Sequence, residues 1–316
     1  MESLMRKDIT YIDGVQMEEA VEITRHCFFR DDEMELHERV IRTPEEFKNA
    51  YMDYIQYWNF ERCISEMHTF TGKETFYYYG NCAVCNSPQP FIVDYQFAEE
   101  TNGRKTPNWR ERLVCPNCGC NSRQRFVIHK VFENYKTGRD VLMYERTTNV
   151  FQKISREIPD VEGFEYPGEG YLLQKVQTSI PCENISNLSM DDASYDLLVA
   201  NDVFELVYDY EGAFAEAFRV LRPGGKMIFM LAFDGNSKET VRRVEIGCNG
   251  LVYSQSEWYY RNPVDEKYPR LVCQVFGWDV LDALKKCGFR DAYGKVYYGL
   301  KEGYMGYLPI YFEAVK

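Results

Sequence analysis

The stretch Tyr195–Met230, YDLLVANDVFELVYDYEGAFAEAFRVLRPGGKMIFM, decides the fold. It opens with a short apolar run, Tyr195–Ala200, which ends at the polar pair Asn201-Asp202. A helical pattern follows, with Ala213, Phe214, Ala217, Phe218 and Leu221 recurring at three- and four-residue spacing. Arg222-Pro223-Gly224-Gly225 predicts its stop, because proline cannot continue a helix and glycine readily takes the left-handed turn. A second apolar run, Met227–Leu231, begins at once. Strand, crossover helix and strand in about 35 residues make a βαβ unit, and hence a parallel sheet. In such sheets ligands bind beyond the carboxyl ends of the strands, where Asn201 and Asp202 fall.

The same residues resemble motifs four and five of the class I S-adenosylmethionine-dependent methyltransferases. The family pattern is an aspartate-led strand, Asn-Asp-Val-Leu-Glu-His-Val, a helix, and Arg-Val-Leu-Arg-Pro-Gly-Gly. Here the chain has Asp196 to Val207 and then Arg219 to Gly225, with Leu206 in place of the histidine. The resemblance implies an α/β fold, a Rossmann-like doubly wound methyltransferase sheet, with S-adenosylmethionine as cofactor.

Working outward, the first core strand is expected within Asp140–Glu145 and the next helix over Asn149–Glu157. The family usually has a glycine-rich turn between them, so that the backbone approaches the cofactor. This chain has Tyr144-Glu145-Arg146-Thr147-Thr148 and needs a different cradle. Thr147 or Thr148 is expected to cap the helix, leaving backbone N–H groups for the cofactor carboxylate. Glu162–Tyr166 reads as the second strand, and Glu165 is the candidate for the ribose hydroxyls, since a carboxylate accepts two hydrogen bonds from a diol. Glu183 and Asn184 are placed at the adenine edge, and Tyr144, Glu145, Thr147 and Asn201 complete the expected cofactor site. Asp202 and Glu205 are candidate bases with Tyr208 as orienter, and Glu205 alternatively braces the turn after its strand. None of the four histidines lies in 140–316, so the core offers no histidine base. Residues 232–272 are irregular and rich in aromatics, among them Tyr253, Trp258, Tyr259 and Tyr260 beside Arg261, and read as a lid or substrate wall. Helix Trp278–Cys287 and strands Ala292–Gly299 and Tyr307–Ala314 are expected to close the fold.

Upstream, Cys82-Ala-Val-Cys85 and Cys115-Pro-Asn-Cys118 are two knuckles 29 residues apart. Four thiolates from two short turns make a closed tetrahedral site for structural Zn2+. Cys120 is a spare that could compete if the second knuckle is read as Cys-x-Cys. Phe91–Phe97 reads as a strand, Glu99–Asn108 as an exposed loop, and a connecting helix starts at Asn121 or Ser122. This segment resembles a zinc ribbon, and its run into Asn121-Ser-Arg-Gln-Arg is similar to the junction in bacterial biosynthetic methyltransferases with an N-terminal zinc ribbon. That resemblance covers roughly residues 80–316.

Residues 1–80 are expected to be mostly helical, with Thr43-Pro44-Glu45-Glu46 as a helix start and Phe47, Tyr51, Tyr54, Ile55, Trp58 and Met67 largely on one face. That face packs inward or docks a protein partner. The expected organisation is a helical segment over 1–80, ribbon and connecting helix over 81–139, and the methyltransferase domain over 140–316. A net charge of −12, with 49 acidic against 37 basic residues, argues against a broad nucleic-acid surface. No apolar run long enough for a membrane span and no signal peptide are found, so a reducing, cytoplasmic setting is expected for the 11 cysteines. The leading expectation is methyl transfer to a small-molecule acceptor, at oxygen on a sugar, phenol or carboxylate. An inactive scaffold and an RNA methyltransferase are the alternatives.

Overall fold

The computed structural model describes residues 11–12, 15–69, 72–101, 103–172, 178–247, 250–307 and 309–316. It divides into two compact units. One takes in Met1–Arg39, Ala50–Lys130 and Val296–Pro309; the other takes in Val40–Asn49, Val131–Lys295 and Ile310–Lys316.

A seven-stranded sheet has the order Glu162–Gly163, Val141–Met143, Tyr195–Asn201, Leu221–Met230, Ile310–Val315, Asp291–Tyr298 and His37–Ile41, and the first five of these strands lie wholly in the second unit. The first four strands are parallel, and Ile310–Val315 runs antiparallel to Leu221–Met230. From Val141–Met143 the chain goes to one side to form Glu162–Gly163, then returns to the other side as Tyr195–Asn201. The gap between the two central strands is therefore the topological switch point at which such sheets bind ligands. Met143 pairs with both Gly163 and Val199, which brings the residues just beyond all three strand ends together. A single parallel bridge, Glu165 to Cys182, extends the sheet's edge past the second strand.

Local sequence explains most of these elements. Helix Asn149–Glu157 has the predicted bounds, is capped by the Thr148 side chain, which accepts from Phe151 N, and buries Val150, Phe151 and Ile154. Helix Tyr210–Val220 buries Tyr210, Ala213, Phe214, Ala217 and Val220, and the Asp209 side chain caps its start. The Arg-Pro-Gly-Gly stop differs from expectation. The strand already begins at Leu221 and runs through Pro223, Gly224 and Gly225 to Met230. Its register jumps between the Tyr195–Leu221 and Leu197–Lys226 pairs, so the motif is an irregularity inside the strand. Gly224 at φ 79 takes the left-handed conformation that this irregularity requires. The second strand is shorter than predicted, and the closing elements are helix Val280–Lys286 and strands Asp291–Tyr298 and Ile310–Val315.

Residues 232–272 are less irregular than their sequence implies. They form short antiparallel pairs: Val241–Arg242 with Gln274–Val275, Val244–Gly247 with Gly250–Tyr253, and Tyr259–Tyr260 with Arg270–Leu271.

The first unit contains helices Met17–Phe28 and Ile55–Thr69 and a three-stranded antiparallel sheet of Thr75–Cys82, Ser87–Asp94 and Leu113–Val114. Tyr78, Phe91, Val93 and Leu113 fill the core of that sheet. Glu99–Asn108, expected to be a loop, contains a small hairpin of Glu99–Thr101 with Arg104–Thr106. Residues 1–10 lie outside the described residues; among the described ones, no helix is long and apolar enough to cross a membrane.

Candidate functional site

In the first unit the Sγ atoms of Cys82, Cys85, Cys115 and Cys118 all lie within 4.8 Å of one another. Cys82–Cys118 and Cys85–Cys115 are each 3.8 Å apart. Four sulfurs bound tetrahedrally at ~2.3 Å from Zn2+ would be ~3.8 Å apart, so the donor set fits that ion. Each knuckle turns through a left-handed residue placed directly after its second cysteine, Asn86 at φ 50 and Gly119 at φ 72. The two short repeats thus adopt one backbone shape. Burial, then neighbouring thiols, push Cys85 up to about 11, so the four groups ionise together readily only around a cation. Cys120 is buried outside the cluster, with its thiol 3.7 Å from the Cys118 carbonyl. Of the two readings of the second knuckle, the structure realises Cys-x-x-Cys.

In the second unit a cavity of about 300 Å3 opens at the switch point. The turn after the first core strand contributes Tyr144, Glu145, Thr147 and Thr148; Glu165 comes from beyond the second strand and Asn201 and Val203 from beyond the third. The aromatic insert contributes Arg261, Pro263 and Arg270. Of the residues expected to bind cofactor, Tyr144, Glu145, Thr147, Glu165 and Asn201 therefore share one cavity. Glu183 and Asn184 do not line it. Glu183 accepts from Ser189 Oγ at 2.6 Å and Asn184 from Ser186 N at 3.1 Å, within their own loop.

The wall is held by hydrogen bonds across the strand ends. Glu165, 2% exposed, accepts at Oε1 from Arg146 N, Thr147 N and Thr147 Oγ1, each at 2.8 Å. The turn's amides thus close on an internal carboxylate, where the sequence led us to expect them open to the cofactor. Asn201 donates from Nδ2 to Glu145 Oε1, and its own Oδ1 is buried without a partner. Tyr144 turns its ring into the core, against Phe164 at 4.9 Å and Phe204 at 5.9 Å.

None of the three expected catalytic residues lines the cavity. Asp202 adopts φ 52, a left-handed conformation uncommon for a residue with a side chain, and its N–H donates to Met230 O at 3.0 Å. Glu205 is fully buried and accepts from Tyr260 Oη at 3.2 Å. Burial, then the charge of Asp202, raise the Glu205 carboxyl to about 8, so it carries a proton at neutral pH. Tyr208 lies 5.0 Å under the Arg242 guanidinium, which also donates to the Tyr208 carbonyl.

Sequence reasoning missed the polar residues that pin the insert. Buried Asn262 donates to Pro167 O at 2.9 Å and Tyr268 O at 2.8 Å, and accepts from Val264 N at 3.0 Å. Buried Gln274 donates to Phe204 O and Val207 O, both at 2.8 Å. Arg270 reaches the cavity between them. No sequence signal sets these residues apart, because the stretch around them holds many other polar and charged residues.

The arrangement fits S-adenosylmethionine. It combines acidic groups at the ends of adjacent strands, an unsatisfied buried acceptor at Asn201 and a guanidinium in the wall.

Comparison with known proteins finds one family match. A family model described as a methyltransferase domain matches residues 167–229, which span the second strand end to the fourth strand. No curated protein matches the chain. Among solved structures, the chain is similar to an S-adenosylmethionine-dependent methyltransferase from Thermotoga maritima, at 18% identity over 61% of this chain and 94% of that one, TM-score 0.34. A methyltransferase from Mesorhizobium loti matches at 17% identity over 56% and 90%, TM-score 0.33. The 1,6-didemethyltoxoflavin-N1-methyltransferase of Burkholderia thailandensis matches at 14% over 61% and 76%, TM-score 0.34. Residues 167–229 thus match a methyltransferase domain, and the chain holds in addition a four-cysteine cluster suited to zinc.

Proposed function

We propose that the protein methylates a small-molecule acceptor, with oxygen as the atom modified and a sugar, phenol or carboxylate as the class. The observation that carries this reading is the pinned insert. Asn262 and Gln274 tie residues 262–274 to the strand ends, so the site is a cavity of about 300 Å3 with a walled mouth. The insert's Arg261, Pro263 and Arg270 line this cavity together with the strand-end residues, and a walled site beside the cofactor suits a compact acceptor better than a polymer.

When bound, S-adenosylmethionine supplies an electrophilic methyl group. The cofactor contacts we assign in the cavity are Glu165 to the ribose and Tyr144, Glu145, Thr147 and Asn201 around the methionine portion; Glu183 and Asn184, outside its lining, are assigned to the adenine edge beyond it. Alignment of acceptor and methyl can supply ~7–11 kcal/mol of barrier reduction, so the residues' main task is to hold position and exclude water. Asp202, next in the chain to Asn201, is the proton acceptor in this reading. Glu205, protonated at neutral pH and bonded to Tyr260, braces the turn that presents it, and Tyr208 orients the same turn beneath Arg242. The four cysteines hold Zn2+ as a structural ion. Met52 and Trp58 of the first unit, 57% and 41% exposed, offer apolar surface for a protein partner.

One observation favours a second reading, an inactive domain that binds without turnover. The amides of Arg146 and Thr147, expected to face the cofactor, are occupied by Glu165. Calorimetric titration with S-adenosylmethionine, followed by product assays over sugars, phenols and carboxylates, separates the two. Turnover that falls in Asp202→Asn supports the enzyme, and no cofactor binding at millimolar concentration rejects it.

A further inference from the structure

The cavity wall holds one guanidinium whose charge is unanswered. Of its two arginines, Arg261 is exposed and ion-paired with Glu266. Arg270 is half-buried, and its hydrogen bonds go to two main-chain carbonyls, Tyr166 O and Arg261 O, both at 3.3 Å. Among the described residues no carboxylate lies within ion-pairing distance of it. Glu165, Glu205, Tyr260 and Tyr166 are the groups whose charge or dipole it feels, from farther off. Desolvation acts against its charged form. A guanidinium offers five donors in a planar fork that matches a carboxylate, so two long bonds to carbonyls leave most of its capacity open to the cavity. A partly buried charge without a counter-ion is costly unless a ligand supplies one.

The turn after the first core strand has the complementary deficit. A cofactor with an amino-acid carboxylate needs donors, and the usual source in a turn before a helix is main-chain N–H. Here the N–H groups of Arg146 and Thr147 and the Thr147 hydroxyl converge on Glu165 Oε1. Glu145 and Glu165 also line the wall, so a second carboxylate would be repelled unless a cation met it.

We propose that Arg270 is the receptor for the cofactor's methionine carboxylate, taking the place of the turn's main-chain donors. The proposal rests on the reading that this cavity binds S-adenosylmethionine. The Tyr259–Tyr260 and Arg270–Leu271 pair would then do two things at once. It closes the cavity and supplies the charge that orders the cofactor, so cofactor affinity depends on the insert being docked.

The test compares S-adenosylhomocysteine with S-adenosyl-3-thiopropylamine, which lacks only the carboxylate, by calorimetry on the full chain. Wild type should bind the first about 10- to 100-fold more tightly. Arg270→Gln should remove most of that preference while leaving the decarboxylated ligand within about twofold, and Arg270→Lys should restore part of it. Equal binding of the two ligands by wild type overturns the proposal without recourse to any variant. So does an unchanged ratio in Arg270→Gln, and so does a variant that keeps its S-adenosylhomocysteine affinity but loses affinity for an anionic acceptor. In those cases the methyltransferase reading stands. If wild type binds neither ligand, the cofactor reading itself falls and takes the proposal with it.

Discussion

The cysteine cluster of the first unit and the cavity of the second bring their side chains together by opposite means. The cluster draws its donors from two four-residue turns of one backbone shape, so each ligand atom is placed by its immediate neighbours in sequence. The cavity draws on residues from Tyr144 to Arg270, aligned by strand register and fastened by side-chain bonds that span many tens of residues. Locally built sites are rigid and saturated. A site built over long range can be loosened one fastening at a time, and its chemistry is correspondingly adjustable.

The largest expected effect tests the rigid side of this contrast. Purified protein should hold about one Zn2+ per chain, and structural zinc of this kind is worth ~10–16 kcal/mol of apparent binding energy. Chelation or Cys115→Ser should therefore unfold the ribbon, read by loss of near-ultraviolet circular dichroism and by metal analysis. Full retention of fold and no metal would place the cluster among ordinary buried thiols.

Next comes Glu165. Glu165→Ala removes the acceptor of three hydrogen bonds from the turn as well as the assigned ribose contact. Cofactor affinity should fall by ~1.5–3 kcal/mol, the worth of hydrogen bonds to a charged group. An unchanged titration would show that the turn keeps its shape unaided and that the ribose lies elsewhere.

A smaller loss is expected at the insert's pin. Asn262→Ala leaves the Pro167 and Tyr268 carbonyls without that donor and should cost ~1–3 kcal/mol locally. Limited proteolysis within 255–272 should speed up while the ribbon's metal content stays constant. Equal protection of both proteins would mean that the insert is held by other contacts.

The last test concerns pH. Glu205 is raised from 4.5 to about 8, by burial first and Asp202 second. The folded state therefore binds the proton that the unfolded state has released, and stability falls as pH rises from the unfolded value through the folded one. The slope is at most ~1.4 kcal/mol per pH unit for one proton. Glu205→Gln should flatten the melting profile between about pH 4.5 and 8. An unaltered slope would show that Glu205 is not the group titrating there.

Much of this molecule could be read from local pattern. The apolar periodicity at Tyr210–Val220, the Thr148 cap and the paired cysteines are all set within a few residues, where backbone geometry follows directly from residue type. The strand ends placed Glu145, Glu165 and Asn201 near one another, because parallel strands bring their carboxyl ends to one edge of the sheet. The Arg-Pro-Gly-Gly motif was misread for the same local reason. Its residues do stop the helix, but whether the next strand starts before or after them depends on pairing with Tyr195–Asn201.

By itself, the sequence determined the α/β class, the position of the switch point and which four cysteines come together. Only the tertiary structure decided that Glu165 turns toward the Arg146-Thr147 amides, that Asn262 and Gln274 fasten the insert, and that Arg270 reaches the cavity unpaired. The reason is physical. Residue type and spacing specify backbone conformation over one turn or strand, whereas the partner of a buried charge or amide is chosen by whatever distant segment the fold packs beside it.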